Sequence, residues 1–201
     1  MNAMRLQTIK RRQGGFSLIE TMVAVLVTSV SLLGMAGMQV TSKRAGGEAM
    51  QRSTATAMAM DVLERMRSNP RALAFYSTAD TSGLGGGTID VEPSPACTND
   101  TTDVCTAAQL AAHDLWEWER AIDGAAETRE VGGETVSTGG LLKPTGCIAV
   151  AGGMVTVTMA WEGYEALSSP GTTGCGLAMG KYGDADAKRQ VIVVTTFITD
   201  E

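Results

Sequence analysis

The chain has 201 residues, enough for one modest domain and an additional segment. Its net charge is −6, yet residues 1–15 contain four basic residues and no acid; removing this +4 leaves −10 for the remainder. An acidic remainder of this size argues against nucleic acid as a partner. With 24 glycines and only 4% aromatic residues, we expect a small core and many loops.

The basic N-terminal segment leads directly into a long apolar segment. Thr21–Met38 contains no charged residue over 18 positions, the lower limit for a membrane-spanning helix. Basic residues before such a segment predict that residues 1–15 lie in the cytoplasm and the later residues lie across the membrane. Gly14-Gly15 precedes the apolar segment, whereas the cleavage site of a secretory signal peptide follows it. Cleavage after Gly15 would therefore retain the apolar segment as an anchor.

A single carboxylate lies at the start of the apolar segment. A charge in hydrocarbon is costly, so Glu20 indicates a functional partner.

Residues Gln13-Gly14-Gly15-Phe16-Ser17-Leu18-Ile19-Glu20 resemble the leader motif of type IV prepilins and type II secretion pseudopilins. The resemblance implies that a membrane prepilin peptidase cuts after Gly15 and methylates Phe16. It also implies that Glu20, as the fifth mature residue, pairs with the N-terminal amine of a neighbouring subunit. The new ammonium at Phe16 and the carboxylate of Glu20 would each be costly alone in hydrocarbon, so we expect such a pair to set the register of an assembly.

Beyond Met38 the chain stays helical but becomes amphipathic, until Asn69-Pro70 ends the helix. A helix from Phe16 to Ser68 would be about 80 Å long, far more than a bilayer needs, so its second half must pack against a head domain. Gly46-Gly47 is its weakest point, where bending is expected. The predicted domains are a leader (1–15), a transmembrane half-helix (16–38), an amphipathic half-helix (39–69) and a periplasmic or extracellular head (70–201).

A second helix is predicted after a long polar loop at residues 71–105. Thr106 is its expected N-cap, and the helix runs from Ala107 to about Asp123, where Gly124 stops it. Four polar residues on this helix raise the question of a catalytic or metal site: His113, Asp114, Glu117 and Glu119. The chain has no second histidine, and carboxylates on a charged helix typically form a solvated face. We therefore predict no catalytic residue, no metal and no cofactor.

Two internal segments indicate a particular subfamily within this resemblance. Cys105-Thr106-Ala107-Ala108-Gln109-Leu110-Ala111, continuing through Asp114-Leu115-Trp116-Glu117-Trp118, is similar to the central segment of PilV-type minor pilins, also described as type IV pilus modification proteins. Asp61-Val62-Leu63-Glu64-Arg65-Met66-Arg67-Ser68-Asn69 is similar to the end of the first helix in that subfamily. With the leader motif, the resemblance extends over much of residues 13–123.

In the C-terminal part of the chain, apolar residues recur at every second position, and this pattern predicts strands. Residues 147–150 and 155–161 flank Ala151-Gly152-Gly153 and form an expected hairpin. Arg189–Thr199 is the last predicted strand, and because both of its faces are apolar we expect it at the centre of the sheet.

All four cysteines follow the apolar segment, on the side of the membrane that is expected to be oxidising. They predict two disulfides, for which three pairings are possible. Proximity along the chain favours Cys97 with Cys105 and Cys147 with Cys175.

The predicted fold is therefore α+β and type IV pilin-like, with a long N-terminal helix packed on a small antiparallel sheet. The resemblance implies a non-enzymatic minor pilin that primes or modifies type IV pilus assembly, and so serves adhesion and twitching motility. Its implied partners are the prepilin peptidase, other minor pilins and a pilus-tip adhesin; its implied location is the inner membrane and then the pilus. A type II secretion pseudopilin is the first alternative, and a membrane-anchored periplasmic enzyme is the second.

Replacing Gly15 by alanine or a larger residue should block leader removal, because the bond to be cut follows this glycine. Gel mobility and N-terminal sequencing would check this. A mature protein of normal size that begins at Phe16 in the variant would contradict the assigned cleavage site.

Overall fold

The chain forms two compact units, one ending at Arg44 and one beginning at Ala45. The computed structural model describes residues 15–78, 81–98, 104–125, 127–167, 171 and 173–199. Apart from Gly15, the predicted leader lies outside these residues. The expected α+β architecture, with a long N-terminal helix and small antiparallel sheets, is confirmed.

The helices agree closely with the sequence pattern. Helix α1 spans Leu18–Ser68, a 3₁₀ turn follows at Pro70–Tyr76, and helix α2 spans Ala107–Ile122. A second 3₁₀ turn lies at Asp184–Asp186. The predicted end of α1 at Ser68 is confirmed. Pro70 accounts for it, since proline disfavours helical geometry in the residue before it. The first 3₁₀ turn lies within the segment that was expected to be a loop.

Five strands form two antiparallel sheets. The smaller sheet pairs β1 (Thr128–Val131) with β2 (Glu134–Ser137), and the larger has the order β3 (Thr145–Ala151), β4 (Met154–Glu162), β5 (Arg189–Phe197). The predicted hairpin is confirmed by the pairing of β3 with β4. Its two-residue turn needs positive φ at both positions, and Gly152 and Gly153 supply it with φ of 58° and 81°.

The prediction that the last strand lies at the centre of the sheet is wrong. Strand β4 is central, and β5 lies at an edge. Its inner face supplies Ile192 to the core, whereas Val193 and Phe197 on the outer face are 49% and 62% exposed. Apolar residues on both faces therefore do not show that a strand has two neighbours, because an outer face can stay open to solvent.

The core of the second unit lies between the two helices and the inner face of the larger sheet. Its buried members from α1, α2 and β4 are Ala55, Ala59, Val62, Leu63, Met66, Ala111, Leu115, Trp118, Ile122, Val155, Val157, Met159 and Trp161. The Trp118 indole nitrogen donates to the Met58 carbonyl of α1 at 2.9 Å. This hydrogen bond satisfies the polar atom of a fully buried side chain and fixes α2 against α1.

Two glycines permit close packing in this unit. Helix α1 continues through Gly46-Gly47, where bending was expected. The ring of Tyr164 packs over Gly47, and a Cβ there would lie 2.8 Å from the ring. In β3, the backbone of Gly146 faces the ring of Trp118 so closely that a Cβ would overlap it.

Gly146→Ala should lower the free energy of unfolding by about 1–3 kcal/mol, because the new methyl group overpacks against a buried indole. Gly46→Ala is the matched control. A Cβ there meets nothing within 4 Å, and the helix should gain about 0.5–1 kcal/mol. Thermal unfolding of the detergent-solubilised chain checks both; unchanged stability of Gly146→Ala would contradict the packing.

Candidate assembly site

The predicted processing site lies just outside the start of α1. Gly15 and Phe16 are exposed, and the Phe16 side chain is 83% accessible. Ser17 caps the helix: its Oγ accepts a hydrogen bond from the Glu20 amide at 3.3 Å, and its carbonyl accepts from the Thr21 amide at 3.3 Å. The bond between Gly15 and Phe16 therefore lies in exposed, non-helical backbone, which suits attack by a peptidase.

Glu20 lies in the first turn of α1 and is exposed. The partial positive charge of a helix N-terminus stabilises a carboxylate at this position. Within the described part of the chain, no hydrogen bond or ion pair satisfies the carboxylate itself. The side chain is therefore available to a group supplied from outside the chain.

The apolar segment of α1 is exposed on every side. An 18-residue window has a mean hydropathy of 2.0, and none of it is buried against the rest of the protein. By length and composition, α1 could cross a membrane. An apolar surface of this extent in water would be strongly unfavourable, so it requires lipid or other helices.

The hydroxyl groups in this segment do not make it polar. Thr28 and Ser29 donate to the carbonyl of Val25 at 2.9 and 2.7 Å, and Ser31 donates to that of Val27 at 2.8 Å. Because each hydroxyl donates within the helix, it can lie in an apolar environment at little cost. Glu20 thus differs from the other polar side chains near it.

In the second unit, the carboxylates of α2 do not form the solvated face that the sequence suggested. Glu119 is 1% exposed and accepts hydrogen bonds from the backbone amides of Gly85, Thr88 and Ile89 at 2.8, 2.5 and 2.6 Å. A glycine-rich loop turns its donors toward this carboxylate, which compensates for its burial. Sequence alone carries no sign of the pairing, because the loop and Glu119 are 30 residues or more apart.

Asp123 extends the same arrangement beyond the end of α2. Its carboxylate accepts from the amide of Gly86 at 2.8 Å and from that of Gly87 at 3.0 Å. The two acids together accept hydrogen bonds from five consecutive backbone amides, those of residues 85–89, and so hold this loop to the end of α2. In this structure the two carboxylates anchor the loop to α2.

A second group of polar side chains joins α2 to the end of α1. The Arg65 guanidinium donates to Glu117 at 2.5 Å and to Asp114 at 3.3 Å, and the Tyr76 hydroxyl donates to the other oxygen of Asp114. Asn69 donates to the Ala107 carbonyl at 2.7 Å. These contacts fix the first turn of α2 and its following turns against the C-terminal end of α1.

Two pKa shifts follow from this cluster. Burial, reinforced by the hydrogen bond to Asp114, raises the pKa of the Tyr76 phenol well above its ordinary value. Burial acts against the charged form of Arg65, but Glu117 and Asp61 outweigh it and raise the pKa of the guanidinium. Tyr76 therefore remains a neutral donor and Arg65 remains a cation, which preserves the cluster over the physiological pH range.

His113, the one histidine of the chain, is 4% exposed. Its Nε2 lies 3.5 Å from a carboxylate oxygen of Glu92, and its ring centroid lies 5.5 Å from that of Trp116. No group of three or more metal-ligating side chains occurs among the residues that the structure describes. The contacts of the His113 ring thus include one carboxylate and one indole.

The structure contains two disulfides, Cys97–Cys105 and Cys147–Cys175. They are the pairs that proximity along the chain favours. The second bond ties β3 to the polar loop before β5. Arg189 also binds this loop. Its fully buried guanidinium donates to the carbonyls of Cys175 and Thr173 at 2.6 and 3.0 Å and to that of Gly171.

Two family models match the chain. Residues 10–36 match the prokaryotic N-terminal methylation motif, and residues 37–116 match the family described as type IV pilin Tt1218. Neither a curated protein nor a solved structure matched. The matched segments cover α1, with Glu20 and Arg65, and the first ten residues of α2, and they end before Glu119.

Glu119→Gln should lower the free energy of unfolding by about 2 kcal/mol or more, because the amide replaces an ionised acceptor of three backbone donors. Glu64→Gln is the control: it changes an exposed pair with Arg67 and should cost only about 0–1 kcal/mol. Urea unfolding measures both, and hydrogen exchange should quicken at Gly85, Thr88 and Ile89. Equal effects of the two substitutions would contradict the loop anchor.

Proposed function

We propose that this chain, which has a type IV pilin segment behind a prepilin N-terminal methylation motif, is a PilV-type minor pilin. In this role it assembles with other minor pilins and primes or modifies a type IV pilus that serves adhesion and twitching motility. The observation that carries the proposal is Glu20, an acid at the start of an exposed apolar segment whose carboxylate has no hydrogen bond or ion pair to any residue that the structure describes.

Processing would complete the assembly site. Prepilin peptidase would remove residues 1–15 and methylate Phe16, which leaves an ammonium group just before the helix cap at Ser17. Because the ammonium and the carboxylate of Glu20 are costly alone in an apolar environment, each has a strong preference for a partner of opposite charge. Neighbouring subunits can supply that partner reciprocally, with the amine of one pairing with Glu20 of the next.

The proposed location follows from the same segment. Before assembly the chain spans the inner membrane once, with residues 1–15 in the cytoplasm and the second unit in the periplasm. During assembly the apolar helix exchanges lipid for the helices of other subunits. The second unit then lies on the pilus, where it selects neighbouring minor pilins and a tip adhesin.

Resemblance in two internal segments favours the pilus over a type II secretion pseudopilus. These segments are Asp61–Asn69 and Cys105–Trp118, and both contribute to the polar cluster between α1 and α2. Deletion of the gene, followed by assays of surface pili and of protein secretion, distinguishes the two roles. Loss of pili with normal secretion is expected, and the reverse would overturn the pilus assignment.

Glu20→Ala should impair incorporation into pili without preventing leader removal, because the carboxylate is needed between subunits and not by the peptidase. Immunoblots of sheared pili and of membranes would measure incorporation, and gel mobility would measure processing. Thr21→Ala is a matched control, since that hydroxyl donates within the helix to the Leu18 carbonyl at 2.8 Å. Wild-type incorporation of Glu20→Ala would contradict the assembly contact.

A further inference from the structure

Arg189, the first residue of β5, is fully buried in the second unit although it carries a charge. Among the described residues, no acid forms an ion pair with it. Glu162, which lies opposite Arg189 in β4, instead pairs with Lys143 at 2.8 Å and lies 4.0 Å from Lys188. A guanidinium stays protonated in proteins, so its burial is unfavourable unless other groups compensate for the charge.

The compensating groups are carbonyls of the loop before β5. The two terminal nitrogens of the guanidinium donate to three residues of this loop, Gly171, Thr173 and Cys175. The guanidinium Nε has no partner in the described part of the chain. Displacement of the loop would therefore leave a buried cation without acceptors, and the position of the loop is coupled to the burial of Arg189.

Few other polar contacts hold the Cys175 segment, which we define as residues 171 and 173–175. No other nitrogen or oxygen atom of this segment makes a hydrogen bond to a described helix or strand, and the Thr173 hydroxyl is buried without a partner. A cleft of about 350 Å³ is lined by the segment on one side and by β3 and β4 on the other. Within the described part of the chain, Arg189 and the disulfide to Cys147 therefore tie the segment to the sheet.

The guanidinium thus holds the residue that pairs with β3. The carbonyl of Cys175 accepts from Arg189 at 2.6 Å, and its sulfur is bonded to Cys147, 28 residues away along the chain. The other disulfide joins cysteines only eight residues apart. Because closing a longer loop costs more conformational entropy, the longer pair forms less readily by chance encounter. A contact that holds Cys175 near β3 reduces this cost.

We propose that Arg189 positions Cys175 beside Cys147 before the two thiols are oxidised. It thereby selects this pairing over the two alternative pairings of the four cysteines. The oxidant is an external disulfide, either a small molecule or a protein. One cysteine thiolate attacks it and releases a first thiol, and the second thiolate attacks the mixed disulfide and releases another. Two cysteine thiols are oxidised, and one external disulfide is reduced to two thiols.

The test equilibrates the full chain in detergent micelles with reduced and oxidised glutathione. Mass spectrometry of non-reduced digests then gives the effective concentration of each cysteine pair. Arg189→Lys keeps the charge but loses the two-nitrogen fork, and it should lower the value for Cys147 with Cys175 by about tenfold. The pair of Cys97 with Cys105 in the same chain is the reference and should not change. Equal values for Cys147 with Cys175 in wild type and Arg189→Lys would overturn the proposal.

Two controls separate positioning from a general loss of stability. Ile122→Val, a core substitution in α2, should leave both effective concentrations unchanged while circular dichroism shows a folded chain. In concentrated urea, wild type and Arg189→Lys should give equal values, because the loop no longer contacts residue 189. A tenfold difference that persists in urea, or an equal fall with Ile122→Val, would overturn the proposal.

A second measurement keeps Arg189 intact. In a chain with Cys147→Ser and Cys175→Ser, the guanidinium should still hold the loop. The amide of Gly176, which donates to the Thr81 carbonyl at 2.7 Å, should therefore remain protected from hydrogen exchange. Loss of this protection in the folded chain would show that the disulfide alone positions the loop, and it would overturn the proposal. Neither measurement depends on Glu20 or on leader removal.

Discussion

The central constraint on this molecule is the N-terminal part of α1, which is apolar on all sides and has one carboxylate at its start. Lipid can cover the apolar surface, but neither lipid nor the described part of the chain supplies a cation for Glu20. Ser17 and the helix dipole stabilise the first turn without neutralising the charge. In the proposed assembly, a partner subunit with an ammonium group near its own helix start would resolve both problems, and processing and assembly would then be coupled in one short segment.

The second unit is under a different constraint, because its core is small and much of its chain is irregular. Backbone donors in such segments must still find acceptors. Glu119 and Asp123 supply them for the loop around Gly85, and Arg189 supplies donors to the carbonyls before Cys175. Side chains from regular elements therefore replace the hydrogen bonds that secondary structure would otherwise make.

The sequence predicted where the helices and strands lie along the chain better than it predicted which of them lie next to each other. Periodicity, the Thr106 cap and Asn69-Pro70 located both helices, because these signals are local. The position of β5 could not be predicted, since apolar residues on both faces fit an edge strand with an exposed face as well as a central one. The burial of Glu119 was also missed, because its three donors come from a distant loop whose glycines looked unconstrained. The N-terminal methylation motif could be recognised because its signals lie within eight consecutive residues, whereas the roles of Gly15, Phe16 and Glu20 stay predictions.

The most direct measurement of the central claim is mass spectrometry of the native chain recovered from sheared pili. We expect a protein that begins at Phe16, carries one methyl group on its amine and is present in the pilus fraction. The same protein with Glu20→Ala should be processed identically but remain in the membrane fraction. A chain that retains residues 1–15, or that stays in the membrane with Glu20 intact while pili assemble normally, would contradict it.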